Sequence, residues 1–309
     1  MSGLGGIPIL DAAAIAAALS PSGAVDALEA ALRGGLDPEA DPPRGAVGAA
    51  AGEVLLMPSS APGAVGVKLV TVAPGNPDRG RPRIQGVYVL FDPETLAPAA
   101  LLDGIGLTDL RTSAVSALAV RHLAVPDARR LLVFGTGAQA RAHVGALRAV
   151  QPGIERVDVV ARDRGRLEAF VAWCAAEHGI AARIAAPDDV GEADLVVCAT
   201  TAREPLFDGA LVRDDATVVA IGSHEPGARE VDERLAGRGT VVVESRASAM
   251  REAGDVIQAG LDPERLVPLA ALVRGEAQPA EGRPRLFKST GMAWEDLVVA
   301  AAVHARARG

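Results

Sequence analysis

The segment Leu131-Leu132-Val133-Phe134 runs directly into Gly135-Thr136-Gly137-Ala138-Gln139-Ala140, so an apolar run ends in G-x-G-x-x-A and a helix-like stretch follows from Arg141. Strand, glycine turn and helix in that order suit a dinucleotide pyrophosphate. Gly135 permits the tight turn, Gly137 lets the backbone approach the phosphates, and the small Ala140 allows close helix–strand packing. The helix N-terminus adds N–H groups and the positive end of its dipole.

Three basic residues stand in apolar or small surroundings. Arg44 follows Pro42-Pro43, Lys68 interrupts Val65-Gly66-Val67-Lys68-Leu69-Val70, and Arg111 lies beside Thr112 and Ser113 in a helical stretch. Taken singly, each reads as a solvated charge or a structural ion pair. Lys68 is the most demanding: in a strand apolar on both sides, its ammonium must reach an edge or a polar pocket, because an unpaired buried charge costs several kcal/mol, on the order of its lost solvation. Three cations meeting in one pocket make a carboxylate receptor, with arginine gripping in bidentate fashion and lysine acting as a point charge.

These groups need two kinds of scaffold. The first forty residues read as Ala-rich helix broken by turns, with Ser20 as N-cap and Pro21 at the first helical position. Short apolar runs follow at Glu53–Met57, Val65–Val72 and Val87–Phe91, punctuated by Pro and Gly as antiparallel hairpins require. One helix is expected over Leu107–Leu123 with Thr108 as N-cap. After Pro126 the pattern alternates β and α. Strands are expected at Arg130–Phe134, Val157–Ala161, Leu195–Ala199, Val218–Ile221 and Val241–Glu244, and helices near Gln139–Val150 and Arg164–His178. That alternation is the signature of a doubly wound parallel sheet. Trp294–Arg308 reads as a helical tail folding back on the N-terminal part.

The chain has 309 residues, 49% of them hydrophobic but only 3% aromatic, so a sizeable core is built mostly from Ala, Val and Leu. Its net charge of −8 argues against nucleic acid or an anionic membrane as the main partner. Cys174 and Cys198 have no metal-ligand spacing and read as reduced thiols of a cytoplasmic protein; the five histidines are scattered, and no structural metal is expected.

Several blocks together resemble the ornithine cyclodeaminase/mu-crystallin family along nearly the whole chain. They are Lys68-Leu69-Val70-Thr71 with Pro74-Gly75-Asn76; Leu101-Leu102-Asp103-Gly104 through Leu107-Thr108-Asp109-Leu110-Arg111-Thr112-Ser113-Ala114; the glycine motif; Pro226-Gly227-Ala228-Arg229-Glu230; and Phe287-Lys288-Ser289-Thr290-Gly291-Met292-Ala293-Trp294-Glu295-Asp296. The resemblance implies an α/β protein and a homodimer. A Rossmann dinucleotide-binding domain is expected over 112–290, and an α+β substrate-binding and dimerisation domain over 1–111 with 291–309. It implies a nicotinamide cofactor, a small imino or amino acid substrate, and a substrate carboxylate gathered by Arg44, Lys68 and Arg111.

Two departures narrow the expectation. Cyclodeaminases of the family carry an acidic residue two positions before the Pro226-Gly227 pair; here it is His224, which offers no permanent anion but donates a proton near neutral pH. The second strand of the parallel sheet ends in Arg162-Asp163-Arg164, and Arg162 stands where a cation meets the 2′-phosphate of NADPH, whereas an acid there would favour NADH. The expected activity is NADPH-dependent reduction of Δ1-pyrroline-2-carboxylate or Δ1-piperideine-2-carboxylate to L-proline or L-pipecolate, with NADH the alternative coenzyme. Lys68 and His224 are the candidate proton donors. Thr112, Gly135, Thr136, Gly137, Ala138, Gln139, Arg162 and Thr200 are the candidate cofactor residues. The alternatives are an ornithine or lysine cyclodeaminase recycling NAD, an alanine-type amino-acid dehydrogenase, and a non-catalytic binding protein.

Overall fold

The computed structural model describes residues 6–308; residues 1–5 and 309, which the expected domain division includes, lie outside the described residues. The chain divides into two units, one formed by residues up to Ala114 and from Met292 onward, the other by Val115–Gly291.

The first unit begins with β1 (Ile9–Leu10), α1 (Ala12–Ala18) and α2 (Pro21–Arg33). Ser20 Oγ accepts from the Gly23 amide and Pro21 opens α2, as the local sequence predicts. Five strands follow: β2 (Gly45–Ala49), β3 (Gly52–Ala61), β4 (Ala64–Val72), β5 (Ile84–Phe91) and β6 (Pro98–Asp103). They form an antiparallel sheet in the order β1-β6-β5-β4-β3-β2, in which only β1 runs parallel to its neighbour. β2 and β6 escape a sequence reading because Gly, Ala and Pro dilute their alternation.

α3 (Gly104–Leu123) follows without a loop and begins three residues before the expected start. Thr108 is not its N-cap. Asp103 supplies that service, with Oδ1 accepting from the Gly106 amide at 2.6 Å. Thr108, one turn into the helix, donates instead to the Gly104 carbonyl at 2.6 Å, the usual outlet for a mid-helix hydroxyl.

The second unit alternates as expected: β7 (Arg130–Phe134), α4 (Ala138–Val150), β8 (Arg156–Val160), α5 (Arg164–His178), β9 (Ala181–Ile184), β10 (Leu195–Cys198), β11 (Thr217–Ala220), α6 (Glu233–Arg238), β12 (Thr240–Val243), α7 (Arg246–Glu252), α8 (Gly254–Ile257), β13 (Val267–Pro268), α9 (Leu269–Val273) and β14 (Arg285–Lys288). Its eight strands are all parallel, in the order β13-β12-β14-β11-β10-β7-β8-β9. The order reverses between β7 and β10, where a doubly wound sheet opens its ligand crevice at the carboxyl ends of the strands. β14 inserts between β11 and β12 and was not legible in the sequence, since only Leu286 and Phe287 mark it as apolar.

The chain then returns to the first unit as α10 (Ala293–Ala307), which packs on α1, α2 and the inner face of β3, β4 and β5. No single helix among the described residues is long and apolar enough to cross a membrane.

On the inner sheet face, cross-strand partners Lys68 and Tyr88 are both buried. The Tyr88 ring lies across Gly66, where a Cβ would stand 2.2 Å from the phenol oxygen and 2.6 Å from Cζ. Gly66→Ala is therefore expected to destabilise the protein by about 1–3 kcal/mol through overpacking. A lower urea midpoint with an unchanged m-value checks this.

Candidate functional site

The first unit concentrates its buried charge around the start of α10. The Lys68 ammonium lies 2.8 Å from Asp296 Oδ2 and donates to Asp296 Oδ1 at 2.9 Å and to Thr108 Oγ1 at 3.2 Å. Arg111 donates through Nη1 to Glu295 Oε2 at 2.6 Å and sets Nε 3.2 Å from Asp296 Oδ1. Lys68 and Arg111 thus share one carboxylate. Of the three cations singled out in the sequence, Lys68 and Arg111 are brought together, and both are countered from within, which the sequence reading missed. The signal was present: Glu295 and Asp296 are adjacent acids immediately ahead of the apolar run Leu297–Val303. Glu295 Oε1 also accepts from the Met292 amide at 3.2 Å, and two carboxylates suit the first turn of a helix.

Arg44 directly precedes β2, whose first residue, Gly45, pairs with Leu56; the next residue of β3, Met57, pairs with Lys68. Three residues before Arg44, Asp41 accepts from the Trp294 amide at 2.7 Å and from Ser59 Oγ at 2.6 Å. Asp41 therefore ties the Pro42-Pro43-Arg44 segment to the first turn of α10. Arg44 itself is half-buried.

Lys68 is 1% exposed. Burial, then the neighbouring Arg111, lower its pKa from the ordinary 10.5 to about 8, while Asp296 and Glu295 pull it back up. Burial, with Asp296 and Asp41 nearby, pushes the Tyr88 phenol up. The result is a lysine charged at neutral pH yet close to giving up its proton.

The second unit presents a dinucleotide cradle. Gly135 adopts φ +110°, and a Cβ there would stand 2.4 Å from the Ala199 carbonyl oxygen, so the loops after β7 and β10 touch backbone to backbone. A Cβ on Gly137 would meet nothing within 4 Å. Gly137 is the N-cap of α4 and no side chain caps that helix. Thr136 and Gln139 are half-buried and Ala138 is exposed. The positive-φ Gly135, the open space at Gly137 and the uncapped N-terminus of a 13-residue helix fit a pyrophosphate. Thr200, two residues past the end of β10, is half-buried, and its amide and hydroxyl both donate to Glu230 Oε1 at 2.8 and 2.7 Å. Thr112 lies mid-helix in α3, in the first unit, and is buried.

After β8, Asp163 is the N-cap of α5, accepting from the Arg166 amide at 2.9 Å. One oxygen of its carboxylate is engaged by the helix, and Arg162, Asp163 and Arg164 are all exposed at the strand's end. His224 stands exposed in the loop after β11. Its neighbour Glu225 pairs with the exposed Arg203 at 2.9 Å.

Fold and site together define a nicotinamide-dinucleotide-type α/β protein that carries a buried, lysine-centred cation pair on a separate antiparallel unit. The chain belongs to the ornithine cyclodeaminase/mu-crystallin family, whose model matches residues 9–309. It is 37% identical over 306 residues to the Δ1-pyrroline-2-carboxylate/Δ1-piperideine-2-carboxylate reductase of Azospirillum brasilense, covering 96% of this chain and 95% of the relative. It is 36% identical to the Δ1-pyrroline-2-carboxylate reductase of Bacillus thuringiensis subsp. konkukian, covering 82% and 81%. Among solved structures, the Δ1-pyrroline-2-carboxylate reductase of Thermococcus litoralis in complex with NADH and L-proline superposes with a TM-score of 0.91, at 28% identity over 98% of both chains.

The lowered pKa of Lys68 has a signed consequence. Between about 8 and 10.5 the unfolded lysine holds its proton while the folded one has lost it, so stability attributable to Lys68 rises with pH across that window. Relative to Lys68→Met, the wild type is expected to gain about 1–3 kcal/mol between roughly pH 7.5 and pH 10. Urea unfolding of both proteins across that range checks it; parallel curves would contradict the shifted lysine.

Proposed function

We propose that this chain is an NADPH-dependent reductase of small cyclic ketimine carboxylates, converting Δ1-pyrroline-2-carboxylate and Δ1-piperideine-2-carboxylate to L-proline and L-pipecolate. The observation that carries the reading is the buried pair of cations, Lys68 and Arg111, in a chain similar over nearly its full length to proteins named for that reduction.

The substrate's carboxylate is the group that needs cations. Arg111 is oriented by Glu295, and Asp296 and Thr108 account for two of the three Lys68 donors. Together with Arg44 they form the carboxylate clamp, which supplies orientation, a large part of the rate in such a step. Bound NADPH supplies the hydride. An imine accepts hydride well only when its nitrogen is protonated. Lys68, with a pKa of about 8, and His224 are the two groups suited to holding that proton near neutral pH.

Gly135, Thr136, Gly137, Ala138 and Gln139 hold the pyrophosphate, with Thr200 at the adjoining strand end and Thr112 as a further contact. Arg162 receives the 2′-phosphate, which favours NADPH over NADH; engagement of Asp163 in capping α5 supports this. The cysteines are free and buried, which supports a cytoplasmic setting.

The chain further acts as a homodimer. The outer face of the antiparallel sheet carries Ile9, Val47, Leu56 and Val89, with Ile9 77% and Val47 57% exposed. An apolar sheet face of that kind supports a second copy of the chain as its cover.

The test is NADPH absorbance with five- and six-membered cyclic ketimine carboxylates, where one coenzyme is expected to be consumed per product. Ammonia release from ornithine with NAD and no reductant would instead make the chain a cyclodeaminase. Lys68→Ala is expected to lower kcat/KM on the imines by roughly 10²-fold or more, the scale for removing one partner of a desolvated charge pair. Arg162→Ala is expected to lower the NADPH/NADH ratio of kcat/KM by about 10-fold; an unchanged ratio would leave Arg162 without a role in coenzyme choice.

A further inference from the structure

The mechanism above leaves one buried lysine unused. Lys288 ends β14, which is bonded on both sides by β11 and β12, and it is 0% exposed. Its ammonium lies 2.9 Å from Asp255 Oδ2 and donates to the Ser223 carbonyl at 2.7 Å. Asp255 Oδ1 accepts from the Glu230 and Val231 amides at 2.7 and 2.9 Å. Glu230, buried in turn, accepts from Thr200 through Oε1 and from the Gly222 amide at 2.7 Å through Oε2. These bonds grip both ends of the segment from Gly222 to Glu230, and His224 lies inside it. The packing is equally close: a Cβ on Gly254 would stand 2.0 Å from the Ala228 carbonyl oxygen, and one on Gly222 2.1 Å from that of Thr200.

The bond to Ser223 is the informative one. The Ser223 carbonyl and the His224 amide belong to the same planar peptide unit, so a donor that fixes the carbonyl also fixes the plane from which His224 departs. A charged donor makes this one of the stronger hydrogen bonds available to a backbone oxygen. An apolar residue on β14 would leave both the carbonyl and Asp255 Oδ2 without it.

We propose that Lys288 is a positioning residue: through the Ser223 carbonyl it sets the backbone of the loop that presents His224 to the ketimine nitrogen. This rests on the proton-holding role given to His224 above.

The test is a double-mutant cycle in the full chain with NADPH and Δ1-pyrroline-2-carboxylate. Lys288→Met is expected to lower kcat by about 10-fold with the KM for NADPH within about 2-fold, and to change kcat by less than about 2-fold in the His224→Ala background. A full, independent loss in both backgrounds overturns the proposal. If His224→Ala alone leaves kcat unchanged, the role of His224 falls and the proposal falls with it. If His224→Ala is impaired but the two losses add, only the proposal falls. A readout without turnover is the imidazole NMR resonance of His224, identified among the five histidines by its loss in His224→Ala. Lys288→Met is expected to shift that resonance and leave the other four in place; an unmoved resonance overturns the proposal. Because Lys288→Met strands the Asp255 charge, the same measurements are made on Lys288→Met/Asp255→Asn, which removes both charges and keeps a carbonyl oxygen for Glu230 and Val231.

Discussion

The structure of the first unit depends on one shared carboxylate. Asp296 meets both Lys68 and Arg111, and Glu295, one residue earlier on α10, completes a buried set of two cations and two anions. Removing such ions from water costs several kcal/mol each, on the order of what their mutual attraction returns, so the set adds little net stability. Its value is positional. Lys68 belongs to a central strand, Arg111 to α3, and the two acids to a helix in which Asp296 lies 228 residues after Lys68 and Glu295 184 after Arg111. Each of these elements can take only the placement that leaves no charge unpaired. Stability that an apolar face would have supplied is exchanged for a lysine and an arginine held rigidly in a dry environment.

The same dryness gives Lys68 its chemistry. Burial and Arg111 disfavour the ammonium, the two acids favour it, and the balance leaves a pKa of about 8. A lysine in water is too weak an acid to exchange protons readily at neutral pH, and a lysine wholly unpaired in apolar surroundings would be neutral and useless as a carboxylate anchor. Asp296 keeps the residue between those limits. Tyr88, on the adjoining strand, is the cross-strand partner of Lys68, and Gly66 leaves the space its ring requires.

How much of this could be read from residues alone follows from the range of the interactions. The β/α alternation, the glycine motif and the Ser20-Pro21 helix start are local patterns, and the structure has them where the residues put them. Lys68 betrayed itself because a charge inside an apolar strand is a local anomaly that demands a partner. The partner is not local. Nothing near Lys68 points to Asp296, and only the pair of acids opening an apolar helix hinted that they answered a demand elsewhere. Thr108 shows the opposite error: a hydroxyl near a helix start is a good cap by type, but Asp103 five residues earlier is a better one, and the helix lengthened to use it. Strands β2, β6, β9 and β14 were illegible because Gly, Ala, Pro and charged residues dilute their apolar pattern, whereas the equally short β7, β10, β11 and β12 are mostly Val, Leu and other apolar residues.

Lys68 and Lys288 make the point in parallel. Each lies on a central strand, each is fully enclosed, and each is answered by a single aspartate, Asp296 or Asp255. Their differences decide their uses. Beside Lys68 stand an arginine that weakens its hold on the proton and a hydroxyl, so the group is tuned toward exchange and toward anions. Lys288 gives a donor to a backbone carbonyl, while its aspartate accepts through one oxygen from two backbone amides. A charge whose bonds go to main chain determines where loops lie rather than what they react with. That difference is what the proposed roles draw on: Lys68 in the antiparallel unit for the ligand, Lys288 in the parallel unit for the loop that carries His224.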